Sequence, residues 1–243
     1  MTGWAELQAE LDAWAKAGRT ATFWWRDDDA VGLTAELDRL LGIVGPSNIP
    51  LGLAVIPERA GAMALPDNVA ILQHGIGHHN NAPAGAKRRE LGDQPVDALL
   101  AGLNHGRTQL AALFGAQFLP VLVPPWNRID AALAARLPEC GLHALSTYGP
   151  RKATVPLQVN CHGDPIDWRG GHGFAGEAIV LGAIVAHLAG RRTGAADAAE
   201  PTGLLTHHLQ HDEKVWAFAA RFAEVVSAHP AARWQSPAEA FAA

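Results

Sequence analysis

The sequence predicts an α/β protein built on a parallel, barrel-like sheet. About seven short apolar segments have strand character, and most of them alternate with segments that have the hydrophobic period of helices. In addition, reactive side chains directly follow several of the predicted strands. A parallel sheet collects such strand ends on one face, so this placement carries more information than any single motif.

The chain opens with a predicted helix over residues 4–17, in which apolar side chains recur at helical spacing. A strand rich in β-branched and aromatic residues begins at Thr22 and ends in three consecutive aspartates. Trp24 and Trp25 alternate on this strand, so one is expected to face the core and the other to pack under a helix. A helix over residues 35–44 follows, closed by a Gly-Pro pair.

Two further strands are predicted at residues 51–56 and 69–73, and the second runs directly into His74. Residues 82–93 are polar and contain glycine, so they are predicted to form a loop. A long helix over residues 95–114 follows, with a proline at its start and regularly spaced leucines.

A strand over residues 118–123 ends at a pair of prolines. The pattern then predicts a helix over residues 131–137 and strands at 142–146 and 155–159. Residues 160–173 are polar, and a loop is expected there.

Residues 177–188 predict a helix that is apolar around most of its circumference, which indicates burial or an interface in a homo-oligomer. A linker is expected over residues 189–200. The remaining predicted elements are a strand at 203–206, a helix at 212–228 and a final helical turn at 237–241.

The composition limits the class of protein. With 243 residues, 49% of them hydrophobic, the chain can bury one sizeable core, so a single catalytic domain over residues 1–243 is expected. A net charge of −5 provides no basic surface for nucleic acid or an anionic membrane. Two cysteines without a CxxC motif, acidic residues near the N-terminus and the lack of a membrane-length apolar stretch predict a soluble cytoplasmic protein.

Two groups of reactive side chains indicate a cation site. The adjacent carboxylates of residues 27–29 repel one another, so a cation or a retained proton is expected to neutralise at least one of them. His74 and His78 are four residues apart, and on a tight loop both imidazoles can reach one ion. Separately, these features could be a helix-capping turn and two surface histidines. Their occurrence together at strand ends favours a catalytic cation site with open coordination positions.

The order of five short segments resembles the polysaccharide deacetylases, a group that includes the family 4 carbohydrate esterases and the NodB-homology proteins. The segments are a strand ending in paired aspartates, HxxxH, a proline-aromatic segment, an aspartate-containing loop and Leu-x-x-His. They correspond here to residues 26–29, 74–78, 123–126, 164–168 and 204–207. The resemblance implies a distorted (β/α)7 barrel and a hydrolase that removes N-acetyl or related acyl groups from a carbohydrate with a metal ion.

The resemblance also implies a ligand set for this ion, consisting of Asp29, His74 and His78. Zinc is the first choice, and cobalt, nickel or manganese are alternatives, because such a set binds several divalent ions.

A general base and a general acid are implied in the same way. Asp28 would take a proton from water and His207 would return one to the leaving amine. Asp27 becomes an outer carboxylate, for which Arg26 is a candidate partner. A register shifted by one residue, with Asp27 as the base and Asp28 as the ligand, stays open.

The sequence departs from the family at Val123, where an arginine that pairs with the catalytic base is expected. Arg128 is a candidate replacement, and Asp167 resembles the aspartate that steadies the arginine. The alternative for Asp167 is a turn-capping side chain.

Three side chains are predicted to contact the substrate, a carbohydrate or a small amide. Trp126 and Trp168 stand beside the motifs, where flat apolar rings can stack on sugar rings. His208 is assigned to the substrate side as well, and it is also a rival to His207 as the acid.

Three other functions remain open from the sequence. Some relatives hydrolyse small cyclic amides or imides without a metal, and Val123 leaves room for that activity. A carbohydrate-binding relative without turnover is a second alternative. Two histidines and a carboxylate also occur in non-haem iron oxygenases, but those sites usually lie in antiparallel barrels.

Overall fold

The computed structural model describes residues 3–151 and 156–242. The strands are β1 (Ala21–Ala30), β2 (Leu51–Val55), β3 (Val69–His74), β4 (Phe118–Val123), β5 (Ala144–Leu145), β6 (Leu157–Gln158), β7 (Thr202–Thr206) and β8 (Ala232–Trp234). The helices are α1 (Trp4–Lys16), α2 (Ala35–Val44), α3 (Val96–Phe114), α4 (Ala131–Arg136), α5 (Glu177–Thr193), α6 (Glu213–Ala228) and α7 (Pro237–Ala240).

The described strands form one parallel sheet in the order β6-β5-β4-β3-β2-β1-β7, with β8 paired to the start of β1. Beyond β6, Gly163 forms a parallel bridge with Leu204 of β7, so the two ends of the curled sheet meet there. The predicted fold class is therefore confirmed: the structure is a curled parallel sheet surrounded by helices, consistent with a distorted (β/α)7 barrel.

The two adjacent tryptophans of β1 show how the sheet divides the core. Both are fully buried. Trp24 lies in a cluster with Leu72, Val123 and Leu205, which come from three other strands. Trp25 packs on the opposite face, in the cluster that contains the buried side chains of the helices. The alternation predicted for this strand is confirmed.

Several elements differ from the prediction, and the strand predicted over residues 142–146 is reduced to the two residues of β5. Strand β1 continues through the aspartates to Ala30. Helix α5 continues to Thr193, because Arg191 and Arg192 in its last turn bond to Thr22 and Glu10 respectively. Strand β8 was not predicted, since three residues are too few for a periodic pattern. The strand predicted over residues 155–159 appears as β6, and its first residue lies outside the described part.

The apolar helix α5 is packed inside the protein as predicted. Its side chains Val180, Leu181, Ile184 and Leu188 are buried in the main core. Within residues 3–151 and 156–242, no helix combines the length and the apolar character that crossing a membrane requires.

Candidate active site

The C-terminal ends of four parallel strands lie at one edge of the sheet and carry the predicted site residues. Strand β1 carries the three aspartates directly before its last residue, β3 ends with His74, and β7 leads directly to His207. The segment with Trp126 follows β4. The reactive side chains therefore share one face of the barrel, where α/β barrels build their sites.

A β-bulge redirects the last of the three aspartates. Arg26 and Asp28 share one face of β1, and Asp27 points to the other. Between Asp27 and Ala30 the register with β2 shifts, and Asp29 takes a left-handed φ of 71°. Such a bulge re-aims a side chain, and here it brings the Asp29 carboxylate to the end of β3.

The structure brings Asp29, His74 and His78 together. Ligand-type atoms of the three side chains lie within 4.8 Å of one another. Asp29 Oδ1 is 3.1 Å from His74 Nε2 and 3.4 Å from His78 Nε2. His74 Nδ1–H donates to the carbonyl of Val123 at 3.0 Å, so Nε2 is the nitrogen left to bind an ion.

This donor set fits a divalent cation. Two imidazole nitrogens face one carboxylate oxygen. In a neutral His74 the single ring proton is on Nδ1 and is donated to Val123, so Nε2 has no proton to donate to Asp29. Burial by itself raises the pKa of Asp29, but the hydrogen bond and charge of His74 lower it well below its usual range. Burial likewise lowers the pKa of His74, and the hydrogen bond that its protonated ring donates to Asp29 raises it above its ordinary value. The group therefore favours a positive charge between its members.

Asp28 forms a buried ion pair with Arg26. The guanidinium donates from Nε and Nη2 to the two oxygens of Asp28 at 2.8 and 3.0 Å, and both side chains are almost fully buried. The other N–H groups donate to Ser146 Oγ, the Thr147 carbonyl and Asn127 Oδ1, so all five donors of the arginine are used.

This ion pair corrects two expectations. Arg26 was expected beside Asp27, but side chains two residues apart share a strand face, and Arg26 contacts Asp28 instead. Arg128 was expected to reach Asp28, but its Nη1 donates to a main-chain carbonyl at the surface. Val123, where the resemblance predicts an arginine, is buried in the barrel core.

Asp27 is hydrogen-bonded to residues at the end of β7 and directly after it. Its carboxylate accepts hydrogen bonds from His208 Nδ1, from the His208 backbone N–H at 3.0 Å and from Thr206 Oγ1 at 2.6 Å. Burial raises the pKa of Asp27, but the charge of His208 lowers it below its usual range. His208 is 1% exposed, so the expected substrate contact of this histidine is wrong.

His207 lies beside Asp28 and an exposed indole. Its Nε2 is 3.9 Å from Asp28 Oδ2, and its ring packs edge-on against Trp168 with centroids 4.7 Å apart. Trp168 is 41% exposed, and its Nε1–H donates to Asp164 Oδ2 at 2.8 Å. Burial raises the pKa of Asp164, and the charge of His207 opposes that shift.

Asp167 caps its own turn. Its Oδ1 accepts from the backbone N–H groups of Arg169 and Gly170 at 3.0 and 2.8 Å. The expectation that Asp167 steadies an active-site arginine is therefore wrong, and the turn-capping alternative is right. Asp164, three residues earlier, is the aspartate of this loop whose charge acts on Arg26.

Trp126 borders the cation-ligand group. Trp126 and Asn127 have consecutive left-handed φ angles of 55° and 54°. With this backbone, Asn127 reaches Arg26 and the Trp126 ring lies 4.4 Å from the His78 ring, centroid to centroid. An indole in this position is available to a substrate that approaches His78.

A second group of ligand-type side chains, His162, His187 and Glu200, is buried near the start of β7. Its two imidazole rings stack face to face, with centroids 3.3 Å apart and an angle of 13°, so one ion cannot lie in the plane of both rings. His162 Nδ1 accepts the N–H of Gly203, which places the proton of a neutral ring on Nε2, facing Glu200. This geometry indicates a carboxylate held by histidines, and it does not suit a cation.

Because of this second group, we expect the free energy of unfolding to depend on pH in the acidic range. Burial lowers the pKa of His162 to about 4, although Glu200 opposes the shift. The unfolded chain binds that proton near pH 6.5, so the contribution of His162 to the free energy of unfolding should fall by about 3 kcal/mol as the pH falls from 6.5 to 4. Urea unfolding at pH 7 and pH 4.5 measures the difference. It should shrink in His162→Gln and persist in the exposed control His143→Gln; equal pH dependence in both would refute this account.

No protein-family model matches the chain, and no curated protein sequence is similar to it. Solved structures are similar over most of its length. A Mycobacterium smegmatis protein assigned as a polysaccharide deacetylase gives a TM-score of 0.55 at 19% identity. The match covers 90% of this chain and 87% of the M. smegmatis chain. A family 4 acetyl xylan esterase from Clostridium thermocellum with a cobalt ion gives 0.51 at 13% identity, covering 90% of each chain. A Bacillus subtilis peptidoglycan deacetylase, PdaC, gives 0.53 at 12% identity, with coverages of 90% and 87%.

The chain has the polysaccharide deacetylase fold. The resemblance inferred from five ordered segments is therefore confirmed for the architecture. In this fold the strand-end face carries Asp28, Asp29 and the two histidines of HxxxH together, as the segment order implied.

Three side chains of this face were missed or misplaced. Arg26 could have been matched to Asp28 from the strand period alone. Asp164 stood in the same motif as Asp167, and the spacing did not distinguish them. Glu90 lay in a segment predicted only as a loop, where no pattern marked it as buried.

Proposed function

We propose that the protein is a metal-dependent hydrolase that removes N-acetyl or related acyl groups from a carbohydrate. One observation carries this proposal: Asp28, which directly precedes Asp29 of the ligand group, is paired with Arg26 and has its Oδ2 3.9 Å from His207 Nε2. The similar solved structures, which include deacetylases and an esterase of acylated polysaccharides, support the choice of reaction.

Asp29, His74 and His78 would hold the ion, with zinc as the first choice and cobalt, nickel or manganese as alternatives. When bound, a divalent cation polarises the acyl carbonyl and lowers the pKa of water.

The chain's own groups then move the protons. Asp28 accepts a proton from the attacking water, and the two hydrogen bonds from Arg26 fix the direction of that carboxylate. His207, in its protonated form, donates to the leaving nitrogen as the C–N bond breaks. The products are a carboxylic acid and a free amine on the sugar.

Two aromatic side chains would contact the sugar. Trp168 presents an exposed indole next to His207, and Trp126 lies against His78. Their flat faces would stack on sugar rings on either side of the scissile bond.

Acetate release tests the proposal. We expect the purified protein to release acetate from an N-acetylated chitooligosaccharide, with acetylated xylan as a comparison that separates amide from ester cleavage. Chelation should abolish the release, and added Zn²⁺ or Co²⁺ should restore it. No release from any acetylated carbohydrate, with or without added metal, would overturn the proposal. Metal-independent cleavage of a small cyclic amide would favour the alternative reading.

A further inference from the structure

Glu90 is a buried carboxylate that the proposed reaction does not use. It lies in the segment between His79 and α3, and only 2% of it is exposed. Its Oε2 accepts the backbone N–H of Ile76 at 3.0 Å. Its Oε1 accepts the backbone N–H groups of Gly77 and His79 at 2.9 and 3.0 Å. One side chain therefore satisfies three backbone donors of a single loop.

That loop connects the two histidines of the ligand group. It has no regular secondary structure, and both Gly75 and His78 have a left-handed φ of 61°. Backbone N–H groups that converge from such a turn form a concave site for an anion, and Glu90 is the anion that fills it. A Cβ atom at Gly75 would lie 2.0 Å from Glu90 Oε2, so the glycine permits this close approach.

Glu90 is itself anchored on both sides. Arg89 forms an ion pair with Asp130, and Leu91 forms a parallel bridge with Ile129. The backbone N–H of Asp130 also donates to the carbonyl of Leu91 at 3.1 Å. The carboxylate is thus attached to the segment that follows β4, and it holds the histidine loop against that segment.

We propose that Glu90 is a positioning residue that holds the loop over residues 75–79 in the conformation that brings His78 to Asp29. Its effect on cation binding rests on the proposed function, whereas its effect on the order of the loop does not. The role is one of geometry, because the hydrogen bonds of the Glu90 carboxylate in the described residues go to the loop backbone.

Glu90→Gln tests this role with little change in size. Glutamine keeps one acceptor oxygen and replaces the other with an NH₂ group that cannot accept. We expect the dissociation constant for Co²⁺ to rise by about 10- to 100-fold, the range seen when groups that orient metal ligands are removed. We also expect faster amide hydrogen exchange at Ile76, Gly77 and His79 in the metal-free protein, with the amides of β3 unchanged.

Glu58→Gln is the matched control. Glu58 is an exposed glutamate whose Oε2 lies 3.0 Å from His79 Nε2, and the three loop amides donate to Glu90 and not to Glu58. It should keep wild-type Co²⁺ affinity and wild-type exchange. Unchanged exchange of the loop amides in Glu90→Gln would overturn the proposal, and so would unchanged Co²⁺ affinity despite faster exchange. If the wild type binds no cation, the proposed function fails, and the exchange data alone decide the role of Glu90.

Discussion

Asp28→Asn is expected to lower kcat for acyl removal by about 10²- to 10⁴-fold, the usual contribution of a general base. Asparagine has the shape of aspartate but cannot take a proton from water. Because Asp28 lies outside the Asp29–His74–His78 group, the variant should still bind a divalent ion. Steady-state acetate release and a metal titration on the same preparation measure the two effects separately.

Asp167→Asn is the control for this experiment. Its carboxylate caps a turn in a neighbouring loop, so the variant should keep nearly wild-type turnover. Asp27→Asn discriminates the two registers of the aspartates. In the shifted register Asp28 is a metal ligand and Asp27 is the base. Loss of metal binding in Asp28→Asn, together with loss of activity but not of metal binding in Asp27→Asn, would therefore contradict the assignment of Asp28 as the base.

Arg26→Met is expected to lower the free energy of unfolding by about 3–5 kcal/mol, because it leaves the buried Asp28 carboxylate without its partner. Ser146 Oγ, the Thr147 carbonyl and Asn127 Oδ1 lose their donor at the same time. Urea unfolding of the variant and the wild type measures the difference.

Three further variants separate the loss of the charge of Arg26 from the loss of its hydrogen-bond geometry. Arg26→Lys retains the charge but not the five-donor geometry, so an intermediate loss is expected. The double variant Arg26→Met with Asp28→Leu should recover part of the stability, because it removes both charges. Arg128→Met, which removes a guanidinium bonded to a surface carbonyl, should be close to wild type. Equal stability of Arg26→Met and Arg128→Met would refute the role given to the pair.

The three adjacent aspartates show what could be predicted from the sequence and what could not. Repulsion between their carboxylates predicted a neutralising partner for at least one of them. The structure has a partner for each: His208 for Asp27, Arg26 for Asp28, and the two histidines for Asp29. The sequence predicted the convergence of Asp29 with the histidines because strand ends of a parallel sheet share a face. It did not predict the bulge at Asp29, which depends on pairing with β2.

Partners that come from distant segments were the least predictable. The arginine that pairs with Asp28 lies two residues before it, within the same strand. Which side chain pairs with Asp28 depends on which residues face the barrel interior. Ser146 and Asn127, which follow other strands, accept further hydrogen bonds from Arg26. Glu90 was hidden for a similar reason, since its burial results from anchors at Arg89 and Leu91 that only the folded chain provides.

Cobalt titration is the most direct test of the central claim that Asp29, His74 and His78 form one cation site. His79 provides a control within the same loop, because its ring contacts the exposed Glu58 and lies outside the ligand group. We expect one Co²⁺ to bind per wild-type chain and His79→Ala to bind it with wild-type affinity. In His78→Ala we expect the affinity for Co²⁺ to fall by about 100-fold or more. A wild-type protein that binds no Co²⁺, or equal binding by His78→Ala and His79→Ala, would contradict this claim.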